Sequence, residues 1–179
     1  MRFNFKECTE EELWKYVASH LKNRDIDTVL VGGAVVSIYT NGAYQSGDLD
    51  FITLKLFADE LPDAMYEIGF KKVDKRHYEH PQCHHLFVEF PPGPLGIGED
   101  VNIKPRTLKT HGVAIKILSP TDCVKDRLAS YIHFNDREGF DQAVLVAGAQ
   151  PINPKEIKRW CEVEGANDVY DELVAALRK

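Results

Sequence analysis

The sequence predicts an α/β (α+β) fold, with a mixed sheet in residues 1–118 and a helical C-terminal part packed on it in residues 119–179. Short β-branched runs alternate with helical segments before Ser119, whereas only helical periodicity remains after it. Ser119 followed by Pro120 is typical of a helix N-cap with proline at the first helical position, and it marks the boundary. A length of 179 residues is enough for one domain with a full core.

Periodicity and turn residues predict the elements of the first part in order. Thr9 and Glu12 have the spacing of a capping box, which begins a first helix. Strands are predicted in residues 27–33, 49–54, 70–80, 84–90, 100–104 and 112–118, with helices in residues 34–42 and 59–69. Residues 90–100 are rich in proline and glycine and are expected to form a loop. Four helices are expected in the second part, in residues 119–134, 136–149, 153–165 and 167–179.

The charge balance disfavours wholesale binding to a nucleic-acid backbone. The chain has 22 Lys and Arg against 28 Asp and Glu, a net charge of −6, although a local basic groove stays open. Its four cysteines are far apart and include no Cys-x-x-Cys pair, so reduced thiols are expected. No signal peptide and no membrane-spanning run is found, which favours a cytoplasmic protein without a membrane partner.

Two aspartates stand at the start of a predicted strand. Because side chains alternate along a strand, Asp48 and Asp50 face one way and Leu49 the other. Two carboxylates this close repel each other unless a proton or a cation intervenes, and Mg²⁺ is the hard cation that such oxygens bind. Glu89, inside an apolar strand, is a candidate third ligand. An Asp-x-Asp pair alone is more often a solvated strand end.

A glycine pair upstream strengthens the metal interpretation. Gly32 and Gly33 lie between a predicted strand and a predicted helix, where bare backbone N–H groups can bind phosphate oxygens. A phosphate site and an acidic pair within a short stretch predict a nucleotide site, because Mg²⁺ bridges phosphates to carboxylates.

This order of elements resembles the polymerase-beta-like nucleotidyltransferase superfamily. In that superfamily a strand, a glycine pair, a short helix, an Asp-x-Asp strand and a later strand carboxylate follow one another. The pattern is similar to that of small bacterial nucleotidyltransferases of the type IV toxin and abortive-infection kind, with a toxin–antitoxin association. The matching segments, over roughly residues 26–145, are Gly32-Gly33, Tyr44 to Asp50, Glu89 and Leu118 to Leu128, with Arg127-Leu128 where those proteins have Lys-Leu.

The resemblance implies a nucleotidyltransferase domain in residues 1–118 and a Mg²⁺-dependent enzyme. Asp48 and Asp50 would hold two Mg²⁺ ions against the phosphates of an NTP, and Glu89 would help to hold the catalytic ion and favour deprotonation of the acceptor. The products would be pyrophosphate and a nucleoside monophosphate joined to a hydroxyl acceptor, which could be a protein, a tRNA or a small molecule.

The same resemblance assigns nucleotide binding to four residues, each with a structural alternative. Gly32 and Gly33 would donate N–H groups to phosphate, or simply form a tight turn. Ser46 would bind phosphate, or be a turn hydroxyl. Arg127 would reach the triphosphate, or form a salt bridge with a neighbouring aspartate.

Two departures leave the level of activity open. Ala34 stands where many superfamily members have serine, and Gln45 replaces the usual arginine. Both changes weaken phosphate binding, so a catalytically weak nucleotide-binding or protein-interaction module is the alternative function. A metal-dependent phosphohydrolase is disfavoured because no His-x-Asp spacing is present.

A histidine-rich stretch in residues 77–85 does not have the spacing of a known zinc motif. His84 and His85 are adjacent, so on a strand they face opposite ways, and Cys83 has no Cys-x-x-Cys partner. A structural zinc site is therefore not expected from the sequence, and contacts with the acceptor are the alternative.

Overall fold

The computed structural model describes residues 3–55, 59–110 and 112–178. The helices are α1 (Glu10–Asn23), α2 (Gly32–Tyr39), α3 (Leu61–Glu67), α4 (Pro120–Phe134), α5 (Arg137–Ala149), α6 (Pro154–Val163) and α7 (Asn167–Ala176). The strands are β1 (Thr28–Val31), β2 (Asp48–Thr53), β3 (Lys71–Lys72), β4 (His77–His80), β5 (Cys83–Glu89), β6 (Arg106–Thr110) and β7 (Val113–Ile117).

The strands form one seven-stranded mixed sheet in the order β3-β4-β5-β2-β1-β7-β6. The central strand β2 pairs antiparallel with β1 and parallel with β5, and β1 pairs parallel with β7. The remaining neighbours are antiparallel. The predicted α/β (α+β) class with a mixed sheet and a helical C-terminal part is confirmed.

Local signals in the sequence locate two helix starts. The Thr9 side chain accepts a hydrogen bond from the backbone N–H of Glu12, whose carboxylate accepts one from the N–H of Thr9, so the predicted capping box begins α1. The Ser119 side chain accepts from the N–H of Asp122, and Pro120 is the first residue of α4. Both predicted starts are confirmed.

The strand predicted in residues 100–104 is wrong. Its alternating polar and apolar residues are typical of a strand, but the edge strand β6 begins at Arg106 instead. The backbones of Ile97 and Asp100 form an isolated bridge, and the Asp100 carboxylate binds Lys125 and Arg159. These contacts hold the segment against the helical part and away from the sheet.

A single hydrophobic cluster joins the sheet to the helices on both sides of Ser119. It includes buried residues of α1, the central strands, α4 and α6, among them Trp14, Val29, Leu49, Leu128 and Trp160. A shared core does not mark a boundary, so the division at residues 118 and 119 stays a prediction. Across the described ranges, every helix falls short of the length and apolarity that crossing a membrane requires.

Candidate active site

Three carboxylates lie on one face of the sheet, where the parallel strands β2 and β5 run side by side. Leu49 points into the core and is fully buried, so Asp48 and Asp50 both face the other way. Asp50 is in register with Glu89, and Asp48 is in register with Phe87. Residues in register on neighbouring strands face the same side, so Glu89 joins the two aspartates. The structure therefore places all three predicted metal ligands on the same face of the sheet.

Asp50 is the electrostatic centre of this face. Burial, followed by the charges of Asp48 and Glu89, raises the pKa of its carboxyl to about 7, against an ordinary value of 3.8. The Arg127 guanidinium acts in the opposite direction, and Asp126 adds to the increase. The burial and like charges at Asp50 favour either a proton or a cation beside this carboxyl.

Glycine is required at both positions of the pair because the backbone there lies too close to Asp50 and Ser46 to leave space for a Cβ atom. Gly32 has a φ of +70°, and a Cβ built on it would overlap the Oδ2 atom of Asp50. A Cβ on Gly33 would lie 2.6 Å from the Oγ atom of Ser46. Helix α2 begins at Gly32, so its first turn lies directly against the carboxylate face.

The first turn of α2 has backbone N–H groups available for a ligand. The N-cap residue of this helix, Val31, makes no side-chain capping hydrogen bond. The N-terminus of a helix carries a partial positive charge, and its free N–H groups bind anions such as phosphate. The tight turn with a positive φ at Gly32 and phosphate binding by the backbone N–H groups are the two interpretations of the glycine pair, and they are compatible.

Ser46 orients an aspartate rather than facing open solvent. Its hydroxyl donates to the Oδ1 atom of Asp48, and its backbone N–H donates to the Oε2 atom of Glu10 at 3.1 Å. The residue is only 6% exposed. Glu10 and Ser46 also line a groove of about 920 Å³ that reaches Gln45 and Ser37.

Arg127 lies beside the carboxylates but already has partners. Its Nε and Nη2 atoms donate to Asp126 at 3.0 and 2.6 Å, and Nη1 donates to Gln142 at 3.4 Å. Burial alone would lower the pKa of this guanidinium, but Asp126 and Asp50 outweigh burial and raise it. The predicted salt bridge with a neighbouring aspartate is present, and Arg127 is also close enough to Asp50 to influence its charge.

Glu89 has a guanidinium and an imidazole as neighbours, which the sequence did not indicate. The Nε atom of Arg76 lies 3.2 Å from its Oε2 atom, and the Nδ1 atom of His77 lies 3.4 Å from its Oε1 atom. His77 is in register with Glu89 on the neighbouring strand β4, which explains this contact. Glu89 therefore differs from Asp50, whose acidic neighbours dominate.

Sequence reasoning missed two further residues at this site, Glu10 and Tyr44, and indicated a third, Asp126, only as an aspartate that neighbours Arg127. Glu10 accepts from Ser46 although it is in the first turn of α1, and its Oε1 atom is buried with no hydrogen-bond partner among the residues described. Asp126 holds Arg127, and the ring of Tyr44 packs close to Gly33. Asp126 was indicated because it is next to Arg127 in sequence, where a salt bridge with a neighbouring aspartate was one of the two alternatives. Residue spacing gave no indication that Glu10 belongs to this site.

Comparisons with known proteins identify the fold. No protein-family model and no curated protein matches the sequence. An antigenic nucleotidyltransferase-like protein from Paracoccidioides brasiliensis is structurally similar at a TM-score of 0.65 and 14% identity, with 95% of this chain and 92% of that chain covered.

The antibiotic-resistance factor ANT(2″)-Ia is also similar in two structures. Its solution structure has a TM-score of 0.54 at 14% identity, with 93% of this chain and 89% of that chain covered. Its crystal structure in complex with adenylyl-2″-tobramycin has a TM-score of 0.54 at 14% identity, with 93% and 95% covered. The chain therefore has the fold of nucleotidyltransferases and nucleotidyltransferase-like proteins.

Proposed function

We propose that this protein is a Mg²⁺-dependent nucleotidyltransferase that moves a nucleoside monophosphate from an NTP to a hydroxyl acceptor. The observation that carries the proposal is the convergence of Asp48, Asp50 and Glu89 on one sheet face, directly against the glycine-lined start of α2. Carboxylates for a cation and bare N–H groups for phosphate are the two halves of a metal–nucleotide site.

The residues present fit Mg²⁺. Asp48, Asp50 and Glu89 would supply hard oxygen ligands, and the raised pKa of Asp50 marks a face where a cation is favoured. The missing Cβ atoms at Gly32 and Gly33 allow the first turn of α2 to lie directly against the Asp50 carboxylate and the Ser46 hydroxyl. When bound, Mg²⁺ supplies Lewis-acid stabilisation of the charge that develops on the phosphate oxygens.

The chain's own groups would position the reactants. The first-turn N–H groups of α2 bind phosphate oxygens, and Ser46 holds Asp48 in a fixed orientation through its hydroxyl. Glu89 favours loss of the acceptor's hydroxyl proton. The acceptor oxygen forms a bond to the α-phosphorus, the bond from that phosphorus to the bridging oxygen breaks, and pyrophosphate leaves.

A catalytically weak nucleotide-binding or protein-interaction module is the alternative function. The ion pair between Arg76 and Glu89 favours it, because a partnered carboxylate is less available as a ligand or a base. Ala34 is fully buried within the first turn of α2 and offers no hydroxyl to a phosphate. The exposed Gln45 likewise offers no positive charge.

The acceptor class remains a proposal with three members: a protein, a tRNA or a small molecule. The complex of ANT(2″)-Ia with adenylyl-2″-tobramycin supports including small polyhydroxylated molecules in the screen. The groove of about 920 Å³ beside Ser46 is a place where such an acceptor would fit. A toxin of the type IV or abortive-infection kind stays a prediction that rests on the sequence motifs.

Thermal stability and pyrophosphate release separate the enzyme from the module. The wild-type protein is heated with each NTP, with and without Mg²⁺, since a ligand that binds only the folded state raises the melting temperature. We expect a Mg²⁺-dependent increase that Asp50→Asn loses and that Asp63→Asn, an exposed carboxylate on α3, retains.

The second readout is pyrophosphate released when acceptors are added. A melting increase with release supports the enzyme, whereas an increase without release, for protein, RNA and small-molecule acceptors alike, supports the module. An equal response of wild type and Asp50→Asn to Mg²⁺ and NTP would show that the carboxylate face does not bind the metal–nucleotide complex.

A further inference from the structure

Two thiols and an imidazole meet at the start of β5, at the opposite end of this strand from Glu89. Cys8 precedes α1, and its Sγ atom lies 4.0 Å from the Sγ atom of Cys83 although 75 residues separate them in sequence. The Nδ1 atom of His85 lies 3.9 Å from the same Cys83 sulfur. Cys83 and His85 are two apart on one strand and so share a face. The three atoms all lie within 4.8 Å of one another.

The ring of His85 is held in the orientation that a metal ligand needs. Its Nε2 atom lies 2.8 Å from the backbone carbonyl oxygen of Cys8. Because a carbonyl can only accept, Nε2 carries the hydrogen, and in the neutral ring Nδ1 carries the lone pair that faces the thiols. Metal-binding histidines typically donate their second N–H to a carbonyl or carboxylate in this way.

The separations match tetrahedral coordination by thiolate and imidazole. With metal–sulfur bonds of about 2.3 Å and metal–nitrogen bonds of about 2.0–2.1 Å, tetrahedral angles place two sulfurs about 3.8 Å apart and a sulfur and a nitrogen about 3.6 Å apart. The observed 4.0 and 3.9 Å are within a few tenths of an ångström of these values. A disulfide would need the sulfurs at about 2.05 Å, so the two cysteines are separate thiols in this arrangement.

We propose that Cys8, Cys83 and His85 form a binding site for a thiophilic divalent cation of the Zn²⁺ class. Binding replaces the two thiol protons, which are released to solvent as the two metal–sulfur bonds form. His85 is exposed while both cysteines are buried, so the ion has a path from solvent to the sulfurs. The fourth coordination position is left to water or to a ligand in the adjoining groove, which Cys8 and His85 help to line.

The site would fasten the N-terminal segment to the strand that carries Glu89. The Cys8 thiol contacts the carbonyl of Phe5 at 3.6 Å and the Sγ atom of Cys83 at 4.0 Å. Burial and the neighbouring Cys83 raise the pKa of the Cys8 thiol to about 12.

Metal content and cobalt spectra test the site. The reduced protein is stripped with a chelator, titrated with Zn²⁺, and separately with Co²⁺, whose thiolate charge-transfer absorption reports sulfur ligation. We expect a single Zn²⁺ ion per chain and a cobalt–thiolate band. Cys83→Ser and His85→Ala should each weaken Zn²⁺ binding about 100-fold or more. Loss of an outer-shell partner alone typically weakens metal binding about 10- to 100-fold, and these two residues are proposed to bind the metal directly.

Matched controls come from the same chain. Cys161→Ser removes another buried thiol, and His84→Ala removes a neighbouring exposed imidazole on the opposite face of β5. Both should bind Zn²⁺ like the wild type. His85→Ala changes an exposed side chain and keeps the test valid should Cys83→Ser fail to fold.

Three results would overturn the proposal. The first is a reduced wild-type protein that takes up neither metal, and the second is full binding by His85→Ala and Cys83→Ser. The third is a Cys8–Cys83 disulfide in protein purified without reductant, combined with no metal uptake after reduction, which would identify a redox pair.

Discussion

Burial and the like charges of neighbouring carboxylates both raise the pKa of the Asp50 carboxyl. Its pKa is raised to about 7, mainly by burial and then by Asp48 and Glu89. A carboxyl with a raised pKa in the folded state stabilises that state while protonated, and this contribution is lost as pH rises from the ordinary value of 3.8 through about 7. Above this range the apo protein bears the full penalty of an ionised Asp50.

Asp50→Asn should therefore leave the apo protein equally or more stable while it abolishes transfer. The gain in melting temperature relative to wild type should be larger at about pH 8 than at about pH 5, where Asp50 is already protonated. Calorimetry of both proteins at the two pH values measures the difference. A structural aspartate would behave oppositely, because its loss would strip hydrogen bonds and lower stability by about 1–3 kcal/mol.

Gly32 is constrained both by its backbone and by the space beside it. Gly32→Ala places a Cβ on a residue with φ of +70° and into the Oδ2 atom of Asp50. We expect a loss of about 1–3 kcal/mol in the free energy of unfolding and weaker binding of Mg²⁺ and NTP. Gly148→Ala, in α5 with open space around it, should be neutral or stabilising by about 0.5–1 kcal/mol. Equal denaturation midpoints for the two variants would contradict this account.

Helix α4 supplies a positive charge, Arg127, that acts on Asp50. Arg127 bonds Asp126 and Gln142, and its charge opposes the raised pKa of Asp50. Arg127→Ala should weaken NTP binding by about 1.5–3 kcal/mol, as expected for a charge-assisted contact. Calorimetric titration of the folded variant measures it, with the exposed Arg137→Ala as the control. Unchanged affinity for NTP would make Arg127 a structural residue of the helical part.

The same helix is anchored by a buried lysine. Lys125 is 2% exposed, and its Nζ atom lies 2.8 Å from Asp100, 2.9 Å from Asp122 and 3.3 Å from Glu156. Lys125→Met removes the buried cation that contacts all three carboxylates and leaves the exposed Arg159 beside Asp100 and Glu156, so the free energy of unfolding should fall by about 3–5 kcal/mol.

Urea denaturation measures this loss against a matched surface variant. Lys158→Met removes an exposed lysine that lies 4.0 Å from Glu162 on α6, and it should change stability by less than about 1 kcal/mol. A similar small change in Lys125→Met would show that the buried cluster does not hold the helical part.

Helix caps were predictable from the sequence because they depend on residues a few positions apart. Thr9 with Glu12, and Ser119 with Pro120, fix the starts of α1 and α4 through local hydrogen bonds. The strand predicted in residues 100–104 failed because long-range ion pairs decide that segment. Asp100 is bound by side chains of α4 and α6, which no local pattern reveals.

At the scale of the whole molecule, sheet order decides how much of the site a sequence can indicate. Asp48 and Asp50 share a face by simple alternation, but the addition of Glu89 depends on β5 pairing with β2 in parallel. The same topology brings Arg76 to Glu89, and it brings Cys8 to Cys83 across 75 residues. Spacing rules apply within one segment, so they predicted that the two aspartates share a face. They could not predict the contacts between Arg76 and Glu89 or between Cys8 and Cys83, which join different segments.

Transfer of a labelled α-phosphate is the most direct test of nucleotidyl transfer at the carboxylate face. The wild-type protein is incubated with Mg²⁺, an acceptor pool of protein, RNA and polyhydroxylated small molecules, and an NTP labelled at either the α- or the γ-phosphorus. We expect the α-label on an acceptor and the γ-label only in pyrophosphate, with both signals lost in Asp50→Asn. Transfer of the γ-label to an acceptor, or equal α-label transfer by wild type and Asp50→Asn, would contradict the account.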